Sequence, residues 1–424
     1  MKAQIPTPWD EVALADFGEI VGGGTPSRAT PSFWNGTIPW VTPSEITALP
    51  GKYIRDTAEK ITSDGLAGSA AKLLPAGSVV VTTRATLGET AIAAVPLTTN
   101  QGFKSVIPNA ETDSLFGYYR IQTLKSEMVR LASGTTFLEI SKSDFSRIRA
   151  RRPKLPEQTR IAAVLDTVDE AIAKTEAVIE KLRQVRAGLL HDLLTRGLDA
   201  KGQLRDPIAH PDQFQPSPLG QIPREWGAEK LDDLVRIIDC KHYTPKFVKE
   251  GKAFIRPRNV KPEGLNFSDV DHVSAEDFAL LTDKHVPKLG DIVFSRNATF
   301  GVACYVDRPV PFAIGQDTVV MTEKAANTHF IYFVLRSSVV EAQVMRVSTG
   351  STFGRINLAF IRSLLLPRPE PEEQEAIVER LVAFDQQTKL EEAELTKLRL
   401  LKSGLMTDLL SGRVRVPETL VTPP

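Results

Sequence analysis

Two cysteines, Cys240 and Cys304, are all that the 424-residue chain contains. They imply no disulfide framework and fit a reducing compartment, so the cytoplasm is the expected location. No apolar run approaches the roughly 20 residues a bilayer span needs. The opening stretch places no apolar core behind Lys2, so it does not read as a signal peptide. An excess of either charge is lacking too: 52 Lys and Arg stand against 52 Asp and Glu. A protein that grips phosphate usually carries a basic surplus. Neutrality leaves room for a basic face with an acidic back.

Catalytic signatures are missing as well. There is no Gly-x-x-x-x-Gly-Lys-Ser/Thr loop for a nucleoside triphosphate. Gly22, Gly23 and Gly24 lack the strand–helix setting of a dinucleotide loop and read as a turn. No Asn-Pro-Pro-Tyr-like motif marks an amino-methyltransferase, and no Gly-x-Ser-x-Gly marks a nucleophile. No His-Glu-x-x-His or Cys-x-x-Cys pair offers a metal site, and Cys240-Lys241-His242 has no second pair to complete one. The expectation is a chain with no catalytic site, no metal and no cofactor of its own.

What the chain does have is a copy of itself. Gly134, Thr136 and Phe137 recur as Gly350, Thr352 and Phe353. Pro153, Glu157, Gln158, Ile161, Leu165 and Asp169 recur as Pro369, Glu373, Gln374, Ile377, Leu381 and Asp385. Lys181, Gly188, Leu189 and Asp192 recur as Lys397, Gly404, Leu405 and Asp408, all at one offset of 216 residues. Upstream the match loosens but keeps its order. Trp9 answers to Trp226, Gly77-Ser78-Val79-Val80 to Gly290-Asp291-Ile292-Val293, and Ala85-Thr86-Leu87-Gly88 to Ala298-Thr299-Phe300-Gly301. A repeated scaffold with divergent loops suits two halves doing one job on different targets. The chain parses as globular domains at 1–152 and 218–368, helical regions at 153–196 and 369–413, a Pro-rich linker at 197–217 and a tail at 414–424.

Each helical region starts at prolines and acids, which suit a first helical turn, and ends near Gly197 or Gly412. The first carries Ile161, Leu165, Val168, Ile172, Thr175, Ile179, Leu182, Arg186 and Leu189 at alternating spacings of four and three, a heptad seam. The second repeats the frame at Ile377, Leu381, Phe384, Thr388, Glu391, Leu395, Leu398, Lys402 and Leu405. About 38 residues at roughly 1.5 Å each give about 57 Å. A lone helix with so narrow a seam is unstable, so each needs a partner, and the simplest partner is the other copy. A two-fold relation between the copies makes that pair antiparallel and places the two domains at its opposite ends.

The globular copies mix short strands, such as Ser78 to Thr82 and Asp291 to Ser295, with a helical stretch at Leu115 to Leu131 and its counterpart Thr328 to Val347. Polar and basic loops recur at matching places. In the first copy they hold Ser27, Arg28, Thr42, Ser44, Arg84, Thr86, Asn100, Gln101, Lys104, Thr135 and Thr136. In the second they hold Lys241, His242, Tyr243, Lys246, Arg256, Arg258, Asn259, Arg296, Asn297, Thr299, Gln316, Thr318, Ser351, Thr352 and Arg355. Arg, Asn and Gln present paired groups suited to base edges, while Ser, Thr and Lys suit phosphates.

These features together resemble the specificity subunit of type I restriction–modification systems. The resemblance is carried by the Trp9 and Trp226 openings, the Leu74-Pro75-Ala76-Gly77-Ser78-Val79-Val80 strand and the Gly134 to Phe137 segment with Ile140. The duplicated Pro153…Glu157-Gln158…Ile161 helix start carries it further. It implies an α+β chain: two similar mixed α/β target recognition domains joined by two long helices in an antiparallel coiled coil, with an internal pseudo-two-fold repeat. It also implies that each domain reads half of a split, asymmetric site in double-stranded DNA and that the helices set the spacer and dock two modification subunits. S-adenosylmethionine, ATP and Mg would then belong to those subunits and to restriction subunits, which would supply part of the electrostatic grip. A coiled-coil adaptor that binds proteins and no DNA is the alternative. A salt titration of duplex binding separates the two.

Overall fold

The computed structural model describes residues 9–134, 136–296, 301–348 and 356–419. Four helices organise it: α1 (Ser114–Gln122), α2 (Leu155–Thr195), α3 (Thr328–Leu335) and α4 (Pro371–Ser411). α2 and α4 run 41 residues each. Pro156 and Pro371 sit in their first turns, where a missing N–H costs no hydrogen bond. Both end where a glycine turns left-handed, Gly197 at φ 64° and Gly412 at φ 75°.

The chain divides into two compact units, Met1–Glu176 with Ala393–Pro424, and Ala177–Glu392. Each therefore holds one globular copy and a stretch of both long helices.

Beside a short pair of Asp10–Ala13 with Arg149–Arg152, eight of the described strands in the first unit form two sheets. They are β1 (Gly18–Gly22), β2 (Trp34–Val41), β3 (Tyr53–Ile54), β4 (Lys60–Ile61), β5 (Val79–Val81), β6 (Thr90–Ala93), β7 (Thr98–Thr99) and β8 (Lys104–Pro108). One sheet runs β1-β8-β5-β6-β3 and the other β4-β2-β7. The Val79-Val80-Val81 run forms a strand buried on both faces, which favours β-branched residues. Val79 and Val81 pack with Phe17, Phe116, Ile161 and Leu165, whereas Val80 packs with Val41, Leu74, Leu97 and Phe103. The alternation of period two thus splits the unit into a layer against the long helices and an outer lobe.

The second unit repeats the plan with β9 (Val235–Asp239), β10 (Phe247–Val248), β11 (Lys252–Ile255), β12 (Asp271–Val273), β13 (Ile292–Ser295), β14 (Ala303–Tyr305), β15 (Phe312–Ile314) and β16 (Thr318–Glu323). The sheets run β9-β16-β13-β14 and β10-β12-β11-β15. Ile292 and Phe294 face the helix-side core with Ile377 and Leu381, and Val293 faces the outer lobe.

Within each unit the two long helices run antiparallel. In the first, Asp169 pairs with Lys402 at 2.6 Å and Glu176 with Arg399 at 2.7 Å. In the second, Arg183 pairs with Glu392 at 2.7 Å and Arg186 with Asp385. Partner numbers fall on α4 as they rise on α2, and the repeat offset converts one set of pairs into the other. The seam positions from Ile161 to Leu189 and from Ile377 to Leu405 are buried or half-buried. Two of the polar seam residues, Arg186 and Lys402, are the cations of these pairs.

The duplicated Glu-Gln at the helix starts joins each globular copy to its helix. Gln158 and Gln374 are buried. Gln158 accepts from the Asp113 backbone N–H at 2.9 Å and Gln374 from that of Asn327 at 3.0 Å, and these two residues cap α1 and α3. Glu157 accepts from the Trp9 indole at 3.3 Å and from Arg415 at 2.6 Å. Glu373 accepts from the Trp226 indole at 2.9 Å and from Arg205 at 2.6 Å. The arginine in each case follows the other long helix.

The single helical stretch expected after the strands is two helices in both copies. α1 is followed by Lys125–Leu131, and α3 by Ser338–Ser348. At each break a hydroxyl bonds back three residues: Thr123 Oγ1 to the Arg120 carbonyl and Ser337 Oγ to the Val334 carbonyl, both at 2.7 Å. That local bond competes with helix continuation.

Candidate nucleic-acid interface

In the first unit the polar loops converge around Gly102. A Cβ built on it would lie 3.0 Å from Asn100 Oδ1, 3.6 Å from Pro43 and 3.8 Å from Arg84 Cβ. Thr42 and Ser44 flank that proline, and their hydroxyls meet at 3.0 Å. Glu45 accepts from the Thr42 backbone N–H at 2.8 Å and shapes this corner. Across it, Gln101 accepts from the Thr25 hydroxyl, and the Ser27 carbonyl accepts from the Trp34 indole at 3.1 Å. The Trp40 indole donates to the Gly24 carbonyl at 2.9 Å. Two indoles therefore pin the loop that carries Arg28. Thr86 and Thr136 are exposed beside these groups in sequence.

In the second unit Tyr243, Phe247, Arg256, Arg258 and Gln316 line a cavity of about 400 Å³. His242, Arg296 and Asp239 line a second one of about 380 Å³. Lys246 is exposed and has no ion pair among the described residues.

Nearly every other cation expected from sequence is held by an acid that sequence reasoning did not single out. Arg28 pairs bidentately with Glu59, its second bond at 2.8 Å. Glu139 faces both Arg84 at 3.6 Å and Lys104 at 3.4 Å. Asp271 faces Arg256 at 3.0 Å and Arg258 at 3.1 Å. Asp283 holds Lys241 at 2.6 Å, and Asp277 accepts from the Tyr243 hydroxyl at 2.8 Å. The Glu59 hydrogen bonds hold the Arg28 guanidinium above its ordinary pKa, and Arg28 holds the Glu59 carboxyl below the usual range. The pairing accounts for a chain rich in arginine loops yet neutral overall. No sequence signal marks these acids among the 52 present.

Three expected contact residues are corrected by their burial. Asn259 is 2 % exposed, and its amide donates to the Asp269 carbonyl at 2.8 Å, closing a turn. Thr318 is fully buried and donates to the Gly315 carbonyl at 2.6 Å. Arg296 is 6 % exposed, bonded to the Ile356 carbonyl at 3.2 Å and to Asp239 at 3.1 Å. Its backbone matches Thr83: Ile140 N–H meets the Thr83 carbonyl as Ile356 N–H meets that of Arg296. Arg296 is thus a structural bolt. Lys104 is also nearly buried, at 9 %. Thr135, Asn297, Thr299, Ser351, Thr352 and Arg355 lie outside the described residues.

Both thiols are pushed up to about 11, chiefly by burial, so neither is a thiolate at neutral pH. Among the described residues no group of three or more His, Cys, Asp or Glu is placed to hold a metal ion. No helix there is long and apolar enough to cross a membrane.

Comparison with known proteins agrees with this plan. Residues 6–184 and 223–400 each match the type I restriction modification DNA specificity domain. The chain is 25% identical over 429 residues to the type I restriction enzyme MjaIX specificity subunit of Methanocaldococcus jannaschii, covering 98% of this chain and 95% of that one. It is 31% identical over 195 residues to the EcoR124I/EcoR124II specificity subunit of Escherichia coli, covering 43% and 46%. Its fold is similar to the crystal structure of a type I system S subunit from M. genitalium, with a TM-score of 0.57 at 16% identity over 97% of this chain and 98% of the other.

Proposed function

The chain belongs to the type I restriction modification DNA specificity family, and from that premise we propose that each of its globular copies reads one half of an asymmetric, split DNA site. The observation that carries the reading is a repeated scaffold bearing divergent polar loops, gathered around Gly102 in one copy and lining the cavity of Arg256, Arg258 and Gln316 in the other. Different loop chemistry in the two copies implies different half-sites. The antiparallel long helices act as the spacer element and dock two modification subunits, which use S-adenosylmethionine to methylate adenine. Restriction subunits bring ATP and Mg. The specificity chain carries out no catalytic step and works in the cytoplasm.

The test is a methylome. The chain is co-expressed with its modification subunit in a host without adenine methylation, and methyladenine is mapped by long-read sequencing. A split, asymmetric motif that vanishes with this gene supports the reading. A soluble complex that yields no motif and binds duplex DNA without a falling log K in log salt overturns it in favour of a protein-binding adaptor.

A further inference from the structure

The two copies share more than a scaffold. Trp40 pairs with Thr98 across a parallel ladder as Phe254 pairs with Ala313, and Val41 with Thr99 as Ile255 with Ile314. The next backbone bond repeats too, from Asn100 N–H to the Val41 carbonyl and from Gly315 N–H to the Ile255 carbonyl. That register makes Gln101 the counterpart of Gln316. On the other edge the Trp40 N–H donates to the Glu59 carbonyl, and Phe254 pairs with Asp271. Glu59 and Asp271 are therefore counterparts, although no sequence pattern aligns them.

Glu59 holds Arg28, and Asp271 holds Arg256 together with Arg258, yet Arg28 and Arg256 come from different segments. Arg28 arrives from the loop after β1, and Arg256 follows β11 directly. Both lie over an aromatic pair: Arg28 is 3.7 Å from the Trp34 ring, which packs on Trp40 at 5.0 Å. Arg256 is 5.8 Å from the Phe247 ring, which packs on Phe254 at 5.8 Å. Acid, arginine and aromatic pair thus meet in both copies, with a glutamine at the matching register position, and the arginines do not correspond.

We propose that Arg28 and Arg256 are the guanine readers of the two domains, held for that role by Glu59 and Asp271. The inference rests on the DNA-reading function above. Arg28, neutralised by Glu59, adds little to phosphate attraction, which depends on net charge, and Asp271 offsets one of the two charges that Arg256 and Arg258 bring to it. The Trp34 ring lies 3.7 Å from the Arg28 guanidinium and restrains it. In Arg28 the carboxylate takes one N–H from each terminal nitrogen, which leaves Nε–H and the outer N–H of one terminal nitrogen for the O6 and N7 acceptors of guanine.

The experiment uses the purified complex with modification subunits and duplexes carrying the motif that the methylome defines. Each guanine in turn is replaced by 7-deazaguanine, which lacks only the N7 acceptor. For the native complex, one replacement in the first domain's half-site is expected to weaken binding about tenfold, the loss of one charge-assisted hydrogen bond. Arg28→Ala should be indifferent to that replacement and keep the native response in the other half-site, which also shows that the variant is folded. Arg256→Ala should give the mirror result. Glu59→Gln frees the arginine charge, so discrimination should fall while the salt slope steepens by about one phosphate. A half-site with no such guanine overturns the proposal. So does an Arg28→Ala complex that loses affinity equally on all duplexes with a shallower salt slope. A native complex with no sequence preference at all would instead sink the DNA-reading function itself.

Discussion

Replacing Glu373 by Gln tests whether the helix start is clasped or merely touched. The Glu373 side chain is 13% exposed and that of Arg205 7%. The carboxylate accepts from the Leu198 N–H at 2.6 Å, Arg205 at 2.6 Å and 3.3 Å, and Trp226 at 2.9 Å. An amide keeps one acceptor and turns an N–H₂ toward the arginine donors. Arg205 keeps Glu225 at 2.7 Å, but that carboxylate is 74% exposed and compensates weakly. Breaking a buried pair from one side costs about 3 kcal/mol. For a unit of roughly 200 residues this lowers the unfolding midpoint by about 6–12 °C. The matching Glu157→Gln should cost less, because Arg415 is 30% exposed. Thermal unfolding of the full chain, followed by circular dichroism and fluorescence, reads both. Trp226 is the one tryptophan of the second unit, against three in the first, and contributes that unit's share of the fluorescence change. A midpoint shift under about 2 °C for Glu373→Gln, or a larger one for Glu157→Gln, would refute the reasoning.

The two helix-ending glycines should differ in the same assay. A Cβ on Gly197 would sit 2.3 Å from Glu373 Oε1 and 2.3 Å from the Trp226 ring, whereas on Gly412 its nearest neighbour, the Trp9 ring, is 3.2 Å away. Gly412→Ala should cost about 1–2 kcal/mol for its left-handed backbone, and Gly197→Ala roughly 2 kcal/mol more as the clasp is pushed apart. Tyr119→Phe removes a 2.6 Å bond to Asp169. The loss should be near 1 kcal/mol in chemical denaturation, since Lys402 still holds that carboxylate at 2.6 Å. His329 stacks between Tyr305 at 4.0 Å and Phe333 at 5.1 Å. Burial lowers its pKa, against a smaller pull from Asp385. A lowered histidine pKa means the unfolded chain binds more protons, so its contribution is present above about pH 6.5 and lost as pH falls through the folded value. Between pH 8 and 5 the native midpoint should fall more than that of His329→Phe, and equal falls would remove His329 as the cause.

The buried and the paired residues mark how far a sequence can be read here. Arg296 sits in a basic, polar stretch and looks like a contact. The repeat aligns it with Thr83 of the other copy, and only the tertiary structure shows it turned inward on Asp239. Asn259 has the composition of a base reader and the position of a turn clasp. The acids Glu59, Asp271 and Glu139 were invisible because an isolated carboxylate carries no periodic signal, and each meets its arginine or lysine at separations, up to 55 residues, that no repeat spacing marks.

The repeat, the two long helices with their heptad frame and their antiparallel sense were determined by the sequence alone. Those properties are written in regular spacings along one stretch of chain, and a single offset recorded the symmetry. What the Glu157-Gln158 start holds, which cations are neutralised, and that two unrelated loops deliver an arginine to equivalent acids were decided only by the tertiary structure. Sheet register joins residues that have no fixed separation in the chain, and no local pattern records a contact of that kind.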